Sequence, residues 1–453
     1  MEEAAATKRR ARSGGGSAEE PDRLSALPDE LLRRVLSFLP SEDAVRTTVL
    51  SKRWVDLWRS VPAINLFYTP KLQMELGEDE GFCHQLADAS QCRVPGCVQD
   101  KWIRRAVKYH PLLLDISVHT PCNSRQYQVQ FPRLASSLRR LKKLSLNGLH
   151  LEHSFAKQIR SGCPVLEDLV LRNCSNEFPD IQSDTLKSLV VRCCSSEVAD
   201  VLRVKAPALS SLCLDIPLHN YVNGAAIEAG CSLVRASVSL ITGDAPQRGA
   251  TEILFSLANM TTLELCGFHA TAVLDKEVDE FPVFDSLRTL SLNHMFASNC
   301  DLNKFKALGI FLQKTPILEK LTLKNFYVKP IVVPVEFPML ENLRTLFLDN
   351  CDLCDNYRLL RHFLENSPNL EKLTIRLCKL PGTSNGGKGK DKSKKTNSQL
   401  QNVVHFQCQK LKSTEILYEN GGKIPELVSF LLDISGTAPK NTITLTKFEV
   451  EDL

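Results

Sequence analysis

With 453 residues, of which 43% are hydrophobic and 24% charged, the chain has the composition of an ordinary soluble globular protein. Its 56 basic and 52 acidic residues give a formal net charge of +4, which is too small to indicate nucleic-acid binding. The sequence has no apolar run long enough to span a membrane, and residues 1–10 lack the apolar core of a signal peptide. We therefore expect a protein of the nucleus or cytoplasm, not of a membrane, whose 16 cysteines stay reduced.

The first 20 residues are mostly Ala, Gly, Ser and charged residues, a composition that predicts a disordered tail over residues 1–20. Basic residues cluster from Lys8 to Arg12. Two interpretations of this cluster stay open: a nuclear-import signal and a solvated tail.

Residues 21–62 have the pattern of three short helices. Pro28 suits a first helical turn, and Pro40 is expected to end that helix. Ser41 and Ser51 are expected to cap the second and third helices. Large apolar residues recur at helical spacing through the first and third helices, namely Leu27, Leu31, Leu32, Val35, Leu36 and Leu39, then Trp54, Leu57, Trp58 and Val61.

Three short helices cannot hide this much apolar surface from water, because a unit of about 40 residues is near the lower limit for independent folding. Two coverings are open: the rest of the same chain and an external partner. The composition of the segment does not decide between them.

Three segments of this region resemble the F-box of plant F-box/leucine-rich-repeat proteins: residues 27–32 (LPDELL), 38–40 (FLP) and 49–58 (VLSKRWVDLW). Val55 is a departure, since the family often has a basic residue there. The resemblance implies that this region binds a Skp-type adaptor, which joins it to a cullin. It implies a set of residues that divides between the core of the motif and the adaptor interface: Leu27, Pro28, Leu31, Leu32, Val35, Leu36, Leu39, Pro40, Val49, Leu50, Ser51, Trp54, Leu57 and Trp58.

Residues 63–100 read as a linker rich in turn and polar residues. Four potential zinc ligands, Cys83, His84, Cys92 and Cys97, lie within it, but their spacing lacks the two matched pairs of a structural zinc site. We therefore expect no metal and no cofactor. A helix is predicted over residues 100–107, with Trp102, Ile103, Ala106 and Val107 on one face.

From residue 113 the pattern L-x-x-L-x-L returns at steps typical of leucine-rich repeats. Twelve copies occur: Leu113/Ile116/Val118, Leu141/Leu144/Leu146, Leu166/Leu169/Leu171, Leu186/Leu189/Val191, Leu209/Leu212/Leu214, Leu233/Ala236/Val238, Met260/Leu263/Leu265, Leu287/Leu290/Leu292, Leu318/Leu321/Leu323, Leu343/Leu346/Leu348, Leu370/Leu373/Ile375 and Leu411/Thr414/Ile416. The sequence thus predicts an α/β chain: a three-helix F-box, then a leucine-rich-repeat solenoid over residues 101–381 with parallel strands on its concave face.

Each strand needs a return segment to the next strand, and several returns have helical spacing. Three sets of residues predict such helices: Leu151, Phe155 and Ile159; Phe305, Leu308, Phe311 and Leu312; and Leu359, Leu360, Phe363 and Leu364. Prolines two residues before a repeat are expected to end a return helix, at Pro164, Pro207, Pro316 and Pro368. Cys174, Cys194, Cys351 and Cys378 occupy the position that is usually Asn or Cys in such repeats, so the pair Cys351 and Cys354 needs no redox or metal role.

Residues 382–398 form a Lys-rich, low-complexity segment that predicts a disordered loop. Gly382, Gly387 and Lys388 nearly complete a phosphate-binding loop, but Gly389 replaces its hydroxyl residue and no helix can follow. Residues 399–453 hold the last repeat and a strand, a helix and a strand. This region resembles, more loosely, the FBD region of many plant F-box proteins, and we expect it to cap the solenoid.

The sequence contains no complete catalytic or nucleotide-binding motif, and its histidines are not paired with nucleophiles. We therefore expect a binding protein and not an enzyme. On the strand face the side chains beside the inward leucines point to solvent, and their mixed character suits a protein target. The basic residues alternate with acids, which makes nucleic acid an improbable partner. The candidates are Lys143, Asn147, Arg172, Arg192, Asp215, Glu264, Lys324, Phe347, Asp349 and Arg376.

The resemblance implies a substrate receptor of an SCF-type ubiquitin ligase, which would hold a protein target beside a ubiquitin-conjugating enzyme for degradation. The alternative is a leucine-rich-repeat scaffold without a ligase role. The sequence does not name the target, because the leucines fix the fold while scattered surface residues choose the partner.

Overall fold

The computed structural model describes residues 24, 26–68, 103–104, 107–108, 110–118, 129–131, 138–196, 198, 201–217, 221, 223–230, 232–241, 249–275, 280–296, 298, 300–328, 337–381, 407–419, 423–435 and 441–448. The chain divides into two units, Met1–Asn65 and Leu66–Leu453. Five predictions lie outside the described residues: the tail 1–20, most of the linker with Cys83, His84, Cys92 and Cys97, residue Trp102, the loop 382–398 and the rejected phosphate loop.

The first unit contains the three predicted helices, α1 (Asp29–Leu36), α2 (Ser41–Arg46) and α3 (Lys52–Arg59). A 3-10 turn, Thr47–Val49, joins α2 to α3 and was not foreseen. The prediction that α1 continues to Pro40 was wrong, because the helix ends at Leu36. Pro40 therefore lies directly before α2, and it is not the residue that ends α1.

The two serine caps were also predicted incorrectly in detail. Ser41 is the first residue of α2, and its hydroxyl accepts a hydrogen bond from the Asn65 backbone N–H at 2.9 Å. Ser51 does precede α3 in an extended conformation, but its side chain makes no capping hydrogen bond. Only Ser51 stands at the predicted cap position, and the hydroxyl of neither serine caps the helix beside it.

The second unit is built on a parallel sheet whose strands follow one another in chain order. Its strands are β2 (Leu113–Val118), β4 (Lys143–Asn147), β6 (Asp168–Arg172), β9 (Ser188–Arg192), β12 (Ser211–Pro217), β14 (Arg235–Ile241), β15 (Thr262–Cys266), β16 (Thr289–Asn293), β17 (Lys320–Lys324), β18 (Thr345–Asp349), β19 (Lys372–Arg376), β20 (Ser413–Tyr418) and β21 (Thr442–Lys447). Strand β1 (Ala63–Tyr68) spans the division between the units. Each of the twelve repeats contributes one strand, which confirms the solenoid-like α/β fold.

The register aligns equivalent repeat positions across the sheet. Leu144 pairs with Leu169, and Leu146 with Leu171, so that the repeat leucines form continuous rows of fully buried side chains. Even the degenerate copy fits, because Ala236 pairs with Leu263 and is buried.

The frame of the first repeat was predicted two residues too late. Ile116 pairs with Leu146, and Leu114 pairs with Leu144, so Ile116 and Leu114 are the inward residues. Leu113 is 40% exposed, although it had been assigned as the opening leucine. Leu114, Ile116 and Val118 lie in the same alternation and are all apolar and buried, so the pattern of this segment alone allowed two frames that differ by two residues.

The return segments are helices in some repeats and strands in others. Helices are α4 (Ser154–Gly162), α5 (Ala250–Ser256), α6 (Thr271–Leu274), α7 (Asp301–Gln313) and α8 (Arg358–Glu365). Short strands form two side sheets: β3 (Val129–Gln130), β5 (Leu149–Leu151), β7 (Ser175–Asn176) and β10 (Ser195–Ser196) in one, and β8 (Asp180–Gln182), β11 (Leu202–Ala206) and β13 (Ala225–Ala229) in the other. The helices predicted from Phe155, Phe305 and Leu359 are confirmed.

Two predictions about the returns were wrong. Leu151 belongs to β5 and not to the helix that follows. Pro207 follows strand β11, so it ends a strand and not a helix. The predicted helix over residues 100–107 is described only in part, with Ile103 and Val107 helical and buried.

Phenylalanines fill the layer between the returns and the sheet. Phe281, Phe284 and Phe296 surround Phe311 of α7, with ring centroids 5.2–6.2 Å apart. Cys174 and Cys351 occupy the expected repeat position, buried, with their thiols directed at the Leu146 and Leu323 carbonyls. These cysteines therefore act as structural residues of the turn.

The C-terminal part contains the predicted strand, helix and strand, namely β20, α9 (Ile424–Ser435) and β21. Helix α9 buries Leu427, Leu431 and Ile434, but β21 is the last strand of the sheet and its side chains are largely exposed. Leu445 is 48% exposed. Within the described residues, the terminal strand therefore leaves part of its own apolar surface exposed.

Candidate protein-binding surfaces

The first unit has a small core of its own. Leu32 and Leu36 of α1 pack with Ala44, Trp54 and Leu57, all buried. Leu27, Leu39, Trp58 and Val61 pack against this cluster with part of their surface exposed. Of the residues expected to divide between core and adaptor interface, Leu32, Leu36, Trp54 and Leu57 therefore belong to the core.

Polar side chains hold the three helices together. Arg53 of α3 donates to the Leu27 carbonyl at 2.7 Å and to the Asp29 carboxylate at 2.6 Å. The Asn65 amide donates to the carbonyls of Ser37 and Leu39, at 2.9 and 3.2 Å. These bonds satisfy carbonyl groups beside α1 that the helix itself leaves unpaired.

A second group of apolar side chains in this unit faces outward. Leu31 and Val35 of α1 are 48% and 46% exposed, Phe38 is 76%, Val49 86% and Leu50 58% exposed. We call Leu31, Val35, Phe38, Val49 and Leu50 the exposed apolar set. Leu31 and Val35 are four residues apart and share a face of α1, about 100° around the helix from Leu32 and Leu36, and Phe38 follows two residues after the helix ends.

The remaining predicted adaptor residues lie between these groups. Pro28 and Ser51 are exposed, and Pro40 is half-buried like Leu39 and Trp58. Phe38 belongs to the exposed apolar set but was not among the predicted adaptor residues. The sequence signal for it was an aromatic residue two positions after the end of an amphipathic helix.

The open face of the main sheet presents its side chains in three rows. The row at the strand ends contains seven of the ten predicted target-binding residues: Asn147, Arg172, Arg192, Asp215, Lys324, Asp349 and Arg376. Glu264 and Phe347 belong to the middle row, and Lys143 to the row at the strand starts. The structure therefore brings most of the predicted residues into one line.

The charges on this face are partly paired. Asp349 lies between Lys324 and Arg376 in register and forms an ion pair with Arg376 at 3.1 Å. Ser237 donates to the Glu264 carboxylate at 3.2 Å. The expected alternation of bases and acids is confirmed at Asp349, but it was wrong for Arg172 and Arg192, which are direct neighbours.

Two cysteine thiols near this face have a raised pKa. Burial raises the pKa of Cys266 and of Cys193, which keeps both thiols protonated at neutral pH. Burial also raises the pKa of Cys354 to about 11, so this thiol of the C-x-x-C stays protonated at neutral pH. Among the residues that the structure describes, no cluster of His, Cys, Asp and Glu could hold a metal ion.

One histidine is paired with a potential nucleophile, contrary to the sequence prediction. The His150 ring contacts the Ser175 hydroxyl at 2.7 Å and the Glu177 carboxylate at 3.1 Å, and His153 contacts the other oxygen of Glu177 at 2.5 Å. Burial raises the pKa of Glu177, but its contacts with His153 and His150 outweigh burial and lower it. This network joins β5 to β7 and the start of α4, which is a structural role.

No helix in the described parts of the chain is long and apolar enough to cross a membrane. A three-helix unit with an outward apolar set, together with a parallel leucine-rich sheet with an open polar face, defines the class of F-box/leucine-rich-repeat adaptors. Proteins of this class are generally non-catalytic, and their F-box domains generally bind Skp-type adaptors.

Comparison with known proteins agrees with this class. The sequence model of the F-box domain matches residues 24–64, and the model described as "FBD-associated F-box protein At5g56370, LRR repeats" matches residues 113–231. The putative FBD-associated F-box protein At5g50270 of Arabidopsis thaliana is 30% identical over 68% of this chain and 82% of its own length. The chain belongs to the plant family of FBD-associated F-box/leucine-rich-repeat proteins.

Other relatives match over a larger part of the chain. The protein named "MEIOTIC F-BOX protein MOF" of Oryza sativa subsp. japonica is 29% identical over 91% of this chain and 84% of its own length. The Arabidopsis F-box/FBD/LRR-repeat protein At5g53840 is 26% identical over 80% of this chain and 90% of its own length. The similarity thus extends through both units.

Proposed function

We propose that this protein is the substrate-recognition subunit of an SCF-type ubiquitin ligase. Its F-box would bind a Skp-type adaptor, which connects it to a cullin, and its repeats would hold a protein target for ubiquitination and degradation. The observation that supports this proposal is the exposed apolar set on a unit that already has a complete core of its own.

The size of this set is sufficient for a stable interface. Burying one large apolar side chain contributes about 1.5–3 kcal/mol, and association costs an estimated 4–15 kcal/mol. The exposed apolar set can offset the cost of association only if a partner covers most of its side chains, which are Leu31, Val35, Phe38, Val49 and Leu50. Leaving such a group exposed would favour non-specific association.

Adaptor capture tests the proposal. The full chain is co-expressed with a Skp-type adaptor and purified through a tag on the chain. Leu31→Asp should abolish capture of the adaptor, because it places a charge in the proposed interface without touching the core. Leu432→Asp is the matched control, since Leu432 of α9 is 54% exposed in the second unit, and it should keep the adaptor bound. Wild-type protein that fails to capture the adaptor would overturn the proposal.

The physical contribution of such a subunit is proximity. Holding a target lysine beside the charged conjugating enzyme raises the effective concentration of the two reactants, and no bond chemistry is needed from the receptor. We propose a location in the nucleus or cytoplasm, in keeping with the proposed ligase role.

A further inference from the structure

Two arginines lie side by side at the strand-end row of the open face. Arg172 ends β6 and Arg192 ends β9, and the two residues are direct partners in the parallel register. Neighbouring strands are about 4.8 Å apart. Both side chains are exposed. The sheet therefore places two positive side chains next to each other.

Neutralising charge is present on one side of this pair only. The next residue in the row after Arg192 is Asp215, whereas the residue before Arg172 is the uncharged Asn147. None of the described residues forms an ion pair with Arg172. Like charges directly opposite each other in a sheet are destabilising, so the pair favours an added anion.

The Arg192 guanidinium is held in place. Its Nε and Nη2 each donate to the Cys213 thiol at 3.3 Å. The remaining N–H groups of the guanidinium do not take part in these two bonds. An anion that binds here pays less side-chain entropy than it would at two mobile arginines.

Apolar residues adjoin the pair. Val170 and Val190 lie two residues earlier on the same strands, and they are also register partners. Both are half-buried on the open face. A ligand that places an anion on the arginines would therefore lay its neighbouring groups on two valines.

Resting on the proposed function, we infer that Arg172 and Arg192 form a subsite for a phosphorylated serine or threonine of the protein target, with Val170 and Val190 contacting an apolar residue beside it. A phosphate carries nearly two negative charges and three acceptor oxygens, enough for two guanidinium groups, whereas a carboxylate offers one charge and two oxygens. A nucleic acid would bring further phosphates along the row, where Asp215 follows. The site therefore fits one compact dianion.

The test uses the purified full chain, with and without a co-expressed Skp-type adaptor, and a positional-scanning peptide array. One array has a central phosphoserine, and two matched arrays have serine or glutamate at that position. We expect the phosphoserine array to bind at least about tenfold better than the serine array, with a preference for apolar residues at a flanking position. Arg172→Gln and Arg192→Gln should each remove most of this gain. Arg203→Gln, an exposed arginine of β11, should leave it unchanged.

Several outcomes would overturn the inference. Equal binding of the three arrays would show that no phosphate is recognised. An equal loss in Arg203→Gln would indicate a general charge effect. Competition by inorganic phosphate as strong as by the phosphopeptides, or tighter binding of a single-stranded RNA oligonucleotide, would assign the site to another ligand. Adaptor capture with no phosphopeptide preference refutes only this inference, whereas phosphopeptide binding without adaptor capture refutes only the proposed function.

Discussion

Individual residues decide how the chain leaves each strand of the sheet. The residue after a strand repeatedly takes a left-handed conformation, as at Asn173, Asn325 and Asn350. Asparagine tolerates this conformation better than most residues. Its amide also donates to the preceding repeat: the Asn350 amide donates to the Asn325 side-chain oxygen at 2.7 Å. Where the sequence has Gly267, the backbone has a φ of +76°.

Gly267→Ala should destabilise the fold by more than about 1 kcal/mol, because left-handed backbone disfavours a side chain. A Cβ at Gly267 would also stand 2.3 Å from the Leu240 carbonyl oxygen. Denaturant unfolding of the full chain measures the loss. Gly162→Ala is the control: Gly162 ends α4, and a Cβ there meets nothing within 4 Å. It should be neutral or stabilising, and equal losses in both variants would contradict this account.

Charged residues just before the strands form a ladder in which Glu371 contacts two cations. Lys412 approaches its carboxylate at 2.8 Å and Arg344 at 2.9 Å. The hydrogen bond from Lys412 is the largest cause that lowers the pKa of Glu371 below its ordinary value of 4.5. As the pH falls, the Glu371 carboxylate of the unfolded chain takes up a proton at a higher pH than that of the folded chain. The stability that this carboxylate adds to the fold is therefore complete above pH 4.5 and is lost as the pH falls through the lower folded pKa.

Glu371→Gln should therefore lower the melting temperature at pH 6 and have progressively less effect as the pH falls below 4.5. The change should be small, since exposed ion pairs contribute little. Melting curves of both proteins across this range check it. Glu341→Gln, at an exposed carboxylate without an ion pair among the described residues, should show no such convergence. A constant difference between wild type and Glu371→Gln at all pH values would contradict the linkage.

At the scale of single elements, strand β21 is the last strand of the main sheet, and its backbone N–H groups divide between β20 and the free edge. The Thr442 N–H donates to the Lys412 carbonyl at 3.0 Å and the Phe448 N–H to the Tyr418 carbonyl at 2.7 Å, so the even-numbered residues of β21 bond to β20. Along a strand, the backbone N–H groups of successive residues point alternately to the two sides of the strand. The N–H groups of Ile443 and Leu445 must then point away from β20, toward the free edge.

Leu445→Pro should cost little stability, because proline removes a donor that β20 does not use and fits an edge strand. Thr444→Pro removes a donor that bonds to β20 and should be clearly more destabilising. Thermal unfolding and hydrogen exchange of β20 amides compare the two. Equal effects, or a reversed order, would show that the register of β21 is wrong.

At the scale of the whole molecule, the two units have separate tasks under the proposed function. One unit binds the adaptor and the other selects the target. Deleting residues 24–62 should therefore raise the steady-state level of proteins that co-purify with the repeats, because they remain bound but are no longer ubiquitinated. Quantitative proteomics with and without proteasome inhibition measures this change.

The point variant Leu31→Asp provides the control for that deletion. It leaves the chain at full length and should raise the same proteins. If the levels of co-purified partners stay constant in both variants, the protein is a binding scaffold without a ligase role. That result would support the alternative that the sequence left open.

The sequence by itself determined the repeat architecture, because a leucine pattern dictates which side chains face inward whatever the surface residues are. The order of three helices and then leucine-rich strands, and the helices at Phe305 and Leu359, followed from local periodicity alone. The F-box was found through its motif, whose apolar residues and turn residues lie close together in the chain.

Only the tertiary structure decided which residues are neighbours across repeats and which remain exposed. In β2, Leu114, Ile116 and Val118 are all apolar and lie in the same alternation, so only pairing with β4 fixed the frame of Ile116. Phe38 and Leu32 have equal apolar character, and only packing of α1 against Trp54 separated surface from core. Arg172 and Arg192 are twenty positions apart in sequence, yet hydrogen bonds between parallel strands place them side by side, because register depends on the whole sheet.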